Sequence, residues 1–265
     1  MTQDEIAAAF HSQVRLADRD AAPGLLVEHD GPVHRTYPAD PSEAGAMIEA
    51  PEGLGEDPQH WIARQVEFFG GRGQRVEWKT YGTDEPRDIG ARLQAAGFVP
   101  EDEEVLLLGA CADLVHDVDL PSGVRLRAFD SDEDWERVRT LIHEVWGDGS
   151  SWVNDHFKAE QRLRPDLMIP MLAEESEDGP VLSYAIVRFT QDTDFCGLWG
   201  GSTLPQWRRR GLYRALLTAR ARLALDHGYP LARVDTSPDS RPILRALGMH
   251  AVTTTTPYIF TPVPR

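Results

Sequence analysis

Apolar positions along this chain recur with two periods, and the switches between them mark its elements. From Asp4 to about Ala17 an alanine-rich run keeps the helical spacing. Leu25–Glu28 and Val33–Tyr37 alternate as short strands around the turn tetrad His29-Asp30-Gly31-Pro32. Residues 38–58, dense in Pro, Gly and acid, read as loop with one helical turn near Ala46–Ala50. His60–Phe69 places Ile62, Val66 and Phe69 on one helical face, with Gly70-Gly71 expected to end it. A strand over Gln74–Tyr81, a helix over Ile89–Ala96 closed by Gly97, and an apolar strand over Val105–Leu108 follow.

After a linker at 109–122 the pattern resumes with a strand at Val124–Phe129. Ser131 reads as an N-cap, followed by Asp132, Glu133 and Asp134 in the first turn of a helix running to Trp146. A second helix spans about 153–162, and strands are predicted at Leu167–Glu174, Val181–Thr190 and Phe195–Leu204. The close of the chain reads helix, strand, helix, strand: Tyr213–His227, Leu231–Thr236, Arg241–Gly248, Ala251–Phe260. Residues 60–108 run in that same order, and ARLQAAGFVPEDEEVLLL compares well with PILRALGMHAVTTTTPYIF. The repeat predicts a duplicated α/β domain, with boundaries at 1–118 and 121–265.

Between the two halves the informative contrast lies at one junction, LWGGSTLPQWRRRGLYRALL, from Leu198 to Leu217. An apolar strand interrupted by Gly200-Gly201 reads as bulged. Pro205 ends it, and Arg208, Arg209, Arg210 and Gly211 lead straight into a helix of strong formers. The start of a helix offers backbone N–H groups and the positive end of its dipole, and neighbouring arginines add charge-assisted bonds, a combination suited to phosphate. A solvated basic helix start is the plainer reading of an Arg triplet taken alone.

This junction resembles the acetyl-CoA diphosphate loop of the GNAT superfamily of N-acetyltransferases, Arg/Gln-x-x-Gly-x-Gly/Ala, with Arg208, Gly211 and Tyr213 on the named positions. Tyr213 departs from the small residue of the pattern. Thr203-Leu204-Pro205 matches the element that precedes the loop. The resemblance covers 123–265 well and 25–110 loosely. It implies an α/β protein of two GNAT-like domains, each a mixed, mostly antiparallel sheet flanked by helices. The first, with Glu56-Asp57-Pro58 in place of arginines, is expected not to hold the cofactor. Acetyl-CoA as co-substrate would then lie on Ser202, Thr203, Leu204, Arg208, Arg209, Arg210, Gly211, Leu212, Tyr213, Arg214 and Ser237.

For the chemistry the pattern is thinner. Where many relatives carry a carboxylate this chain has Gly197, and where they carry a Tyr acid it has Leu244. Asp194 and Glu144 are the candidate bases, each also readable as a turn or solvated helix-end carboxylate; His143 and Asp148 stand beside Glu144. Trp146, Trp152, Tyr184 and Trp199 line either a core or an acceptor pocket. Asp235 faces either the cleft or a neighbouring arginine. The resemblance implies acetyl transfer to a primary amine of a small molecule or protein. The alternative is an acyl-CoA sensor or scaffold without turnover.

Composition narrows the field. With 265 residues and 41% hydrophobic content the chain can bury two cores. Cys111 and Cys196, the only cysteines, suggest neither a disulfide framework nor a metal site. No basic, apolar leader opens the sequence and no run is long enough to span a bilayer, so a cytoplasmic, metal-free protein with no membrane partner is expected. Net charge is −16, and residues 1–120 hold 9 Lys and Arg against 24 Asp and Glu. That acidity argues against nucleic acid as a partner and favours a cationic or amine-bearing one. A homodimer is compatible with the resemblance.

Overall fold

A two-residue turn, Gly31-Pro32, joins β1 (Leu25–Asp30) and β2 (Val33–Pro38), which pair antiparallel from Leu25↔Pro38 to Asp30↔Val33. This computed structural model describes residues 1–17, 24–147, 151–176 and 179–263; within 151–163, side chains are described at 155 and 157–163. Two compact units are present, Met1–Leu107 with Asp235–Leu244 and Ala251–Arg265, and Leu108–Val234 with Arg245–His250.

In the first unit α1 (Gln3–Phe10) starts from a capping box in which the Thr2 hydroxyl accepts from Glu5 N and the Glu5 carboxylate accepts from Thr2 N. It passes into a π-helical turn, His11–Arg15, where the sequence predicts one continuous helix. Residues 46–49, read from sequence as a helical turn, form β3 (Ala46–Glu49), antiparallel to β2 and parallel to β4 (Val76–Tyr81). Ala, Met and Glu favour helix, but the space between two paired strands overrides a propensity of a few tenths of a kcal/mol. The crossover helix α2 (Pro58–Arg72) runs through Gly70-Gly71 and stops at Gly73, the left-handed C-cap with φ +65°. Helix α3 (Ile89–Ala95), β5 (Val99–Pro100) and β6 (Glu104–Ala110) follow. The last strand of the chain, β12 (His250–Phe260), pairs antiparallel with β4, so the order is β1-β2-β3-β4-β12. Val33, Tyr37, Ile48, Ile62, Phe69, Trp78 and Leu93 form the core of this unit.

The second unit opens with β7 (Arg125–Ala128) and α4 (Asp132–Trp146), whose N-cap Ser131 accepts from Asp134 N at 3.1 Å, as the sequence predicts. Helix α5 (Ser151–Leu163) is tied to α4 by Trp135 Nε1 donating to Gln161 Oε1 at 2.7 Å. Then come β8 (Met168–Glu174), β9 (Val181–Phe189), β10 (Phe195–Thr203), α6 (Leu212–Asp226) and β11 (Leu231–Thr236). The order is β11-β10-β9-β8-β7, antiparallel except for the parallel pair β10/β11. Trp135, Val138, Leu141, Met168, Leu172, Tyr184 and Ile186 fill the core against α4 and α5. Both units therefore contain a strand, a crossover helix and a parallel strand, β3–α2–β4 and β10–α6–β11. Each is a mixed, mostly antiparallel sheet flanked by helices.

Candidate functional site

The antiparallel ladder between β9 and β10 is regular from Cys196↔Phe189 to Trp199↔Ile186, then resumes at Ser202↔Tyr184. Gly200 and Gly201 face only Ala185 across this gap, which is a bulge. Gly200 has φ +67°, and a Cβ there would lie 3.2 Å from Tyr184 Cε1. On its other side β10 pairs with β11 over three residues only, Phe195↔Leu231 to Gly197↔Arg233. Beyond them the parallel strands part, so the backbone of Gly200 and Gly201 is exposed. In the first unit the corresponding β3 has no comparable free length, because three of its four residues pair with β4.

From the end of β10 the chain makes a 3-10 turn at Pro205–Trp207 and enters α6 through Arg208–Gly211. Arg209 (φ +61°) and Gly211 (φ +85°) are left-handed and curl the turn back onto the helix start. A Cβ on Gly211 would meet Asp119 O at 3.4 Å and Val118 Cγ1 at 3.6 Å. Gly211 is the N-cap of α6 and brings no side chain to the first-turn N–H groups. The contrast with the first unit is direct: at the start of α2, Asp57 Oδ1 accepts from His60 N at 3.1 Å and Pro58 has no N–H to offer. That helix start already holds its own anion.

Charge around α6 follows the same logic. Arg208, Arg209, Arg210 and Arg214 are exposed, and none pairs with a carboxylate among the described residues. Elsewhere Arg35, Arg64, Arg125, Arg127, Arg137 and Arg188 are all in ion pairs. In a chain of net charge −16, four neighbouring arginines that form no ion pair among the described residues concentrate positive charge at this turn. Arg208 Nε donates to Thr203 O at 3.3 Å, and the Arg210 guanidinium lies 4.6 Å from the Trp207 ring centroid.

The remaining predicted residues divide between the units. Ser202 O accepts from Ser183 Oγ at 2.9 Å, and Ser202 Oγ accepts from Trp146 Nε1 at 2.8 Å. Leu204 N is engaged with Leu182 O at 3.0 Å. Leu212 is buried among Val124, Ala173 and Leu182, which leaves only its backbone for a ligand. Tyr213 turns its ring onto β10, where a Cβ on Gly201 would lie 3.2 Å from Tyr213 Cε2. A bulky residue fits this position because Gly201 stands opposite.

Glu144, near the end of α4, accepts from Gln206 Nε2 at 3.3 Å and so borders the turn. Asp194 precedes the first residue of β10, with its carbonyl accepting from Leu231 N. Nine strand residues, on the order of 25–30 Å, separate it from the turn. Ser237 is exposed and Leu244 buried, both in the first unit. Asp235, in that unit too, pairs with Lys79 Nζ at 2.5 Å and accepts from Thr255 Oγ1. Asp148 lies outside the described residues, as does the side chain of Trp152.

Sequence reasoning passed over Arg220 and read Tyr184 only as lining a core or an acceptor pocket. Tyr184 is fully buried with its hydroxyl unpartnered among the described residues, and burial pushes its pKa well above the usual value. Arg220, in the middle of α6, is also buried. Arg220 sits in an ordinary helix pattern, so no local signal marks it.

No family model matches the chain and no curated protein matches it in sequence. Solved structures do match in fold. A GCN5-related N-acetyltransferase from Kribbella flavida superposes with a TM-score of 0.67 at 18% identity, over 96% of this chain and 93% of that one. One from Sphaerobacter thermophilus gives 0.61 at 15%, over 88% and 78%. A tandem GNAT protein from the clavulanic acid biosynthesis pathway gives 0.61 at 14%, over 100% and 97%. At these identities the likeness establishes the fold: the GNAT fold, shared over the whole length with a tandem protein.

Proposed function

We propose that this chain is an acyl-CoA-dependent N-acetyltransferase that moves an acetyl group from acetyl-CoA to a primary amine of a small molecule or protein, in the cytoplasm. One observation carries the reading: the start of α6, without a side-chain cap and flanked by four arginines that have no carboxylate partner among the described residues, at the end of a strand that parts from its parallel neighbour. The similarity in fold to acetyltransferases supports it. Among the described residues no group could hold a metal ion and no helix is long and apolar enough to cross a membrane.

In this reading the first-turn N–H groups of α6, with Arg208, Arg210 and Arg214, hold the diphosphate of CoA. The parted edge of β10, Gly200 to Thr203, offers backbone groups to the pantetheine arm. The neutral amine attacks the thioester carbonyl carbon and the C–N bond forms; the C–S bond breaks, the nitrogen gives up a proton and the leaving CoA thiolate takes up one, giving amide and free CoA thiol. The amine must shed a proton first. Glu144, beside the turn, is the better placed of the two candidate carboxylates; Asp194 lies toward the other end of β10. The first unit binds no CoA in this scheme, because the Asp57 carboxylate occupies its helix start.

The test is calorimetric titration with CoA and acetyl-CoA, then release of free CoA thiol across a panel of amines. Saturable binding with amine-dependent release supports transfer. Gly197 and the buried Leu244, in place of the usual base and acid, favour the rival acyl-CoA sensor, which would bind without release. No binding at all overturns both readings.

A further inference from the structure

Arg220 carries a positive charge into the interior of the second unit, where it is 2% exposed. Burial pulls its pKa down, yet a guanidinium in a protein stays protonated. Buried charges ordinarily meet a carboxylate, and among the described residues this one meets none. Its Nε donates to Leu216 O in its own helix at 3.2 Å, and its Nη1 donates to Ile186 O at 2.9 Å and Trp199 O at 3.4 Å. An apolar side chain would fill the same space at lower desolvation cost, so retention of a cation here calls for a reason beyond packing.

Its two strand acceptors supply that reason. Trp199 and Ile186 face each other as the last register pair before the ladder breaks at Gly200-Gly201. A bulge disrupts the ladder, and a buried carbonyl next to it needs another donor. Beta-strand 11 has already parted from β10 two residues earlier, after Gly197. At this level, therefore, a side chain from α6 bridges β9 and β10. We propose that Arg220 is a positioning residue for the acyl arm of the site: by bridging Ile186 O and Trp199 O it fixes the path of Gly200–Ser202, the edge on which pantetheine and thioester are to be bound. This rests on the acyl-CoA reading above and assigns Arg220 no part in holding the diphosphate, which is proposed to lie on the Arg208–Gly211 turn and the start of α6.

The experiment compares two probes, acetyl-CoA and 3′-phosphoadenosine diphosphate, the latter lacking the pantetheine arm. In Arg220→Met, affinity for acetyl-CoA is expected to fall about tenfold, as for the loss of one or two buried hydrogen bonds, with 3′-phosphoadenosine diphosphate unchanged. KM for acetyl-CoA rises accordingly, and Arg220→Lys, which keeps one donor to the carbonyls, recovers part of the loss. Equal losses for both probes, or none for either, overturn the assignment while leaving the acyl-CoA reading intact. A wild-type protein that binds neither probe overturns that reading and this one with it. If Arg220→Met does not fold, Arg220→Lys carries the comparison, with amide exchange at Gly200–Ser202 expected to quicken. Unchanged exchange there refutes the positioning role.

Discussion

Replacing Gly211 with alanine separates the geometry of the turn from its charge. Gly211 has φ +85° and ψ −11°, where an L-residue costs roughly 1–2 kcal/mol. The new Cβ meets Asp119 O at 3.4 Å, a contact rather than an overlap, so backbone strain dominates. That strain has two outlets. If the turn keeps its path, folding bears the cost and the melting temperature falls by about 2–8 °C. If the turn relaxes to negative φ, stability is spared and binding must restore the path, weakening CoA by roughly 5- to 30-fold. The two losses together should come to the same 1–2 kcal/mol. Gly228, beyond the far end of α6, supplies the control: it too has φ +85°, and a Cβ added there would meet nothing within 4 Å. Gly228→Ala should lower stability alike and leave CoA affinity untouched. Scanning calorimetry and CoA titration of both variants decide the matter. Unchanged melting and unchanged affinity in Gly211→Ala would refute the assigned backbone, and equal affinity losses in both variants would refute its link to CoA.

Four further outcomes are expected. Arg208→Ala and Arg210→Ala should weaken CoA, with the loss shrinking at high salt because these side chains are exposed; titrations at two ionic strengths read it. Asp57→Ala removes the cap of α2 and should cost about 1 kcal/mol by denaturant melts, with CoA stoichiometry staying at one. Glu174, fully buried, accepts from Arg125, Arg127 and Arg137, so Glu174→Gln should destabilise by roughly 3–5 kcal/mol. Burial works to raise the pKa of Glu174, but these arginines hold it below the usual value, and the bond from Arg127 does the same for Asp134. A depressed carboxylate adds stability above its unfolded pKa, about 4, and loses it as pH falls through the folded value, so the wild type should lose stability below about pH 4 and Glu174→Gln much less steeply. Cys111 and Cys196, buried with sulfurs 3.7 Å apart, should be silent to a thiol reagent in the native protein and react on unfolding; fast native reaction would contradict their burial.

Local signals were enough for much of this protein. The Ser131 cap, the Gly-Gly interruption of β10, the arginines ahead of Gly211 and the order of elements that pointed to GNAT-like halves all lie within a few residues of what they specify. Short-range chemistry dominates at such places, because a cap or a turn is decided by its immediate neighbours. Where long-range pairing decides, the sequence was silent or misleading. Ala46–Glu49 is a strand because β2 and β4 flank it, against the helical preference of its residues. Chain order places Asp235–Leu244 and Ala251–Arg265 after the loop, whereas packing groups them with Met1–Leu107. Which arginines stay unpaired depends on where every carboxylate ends up. The same holds for Arg220: in a run of helix formers it reads like any surface arginine, and only the packing of α6 against β9 and β10, where Ile186 O and Trp199 O accept from it beside the bulge, shows it buried.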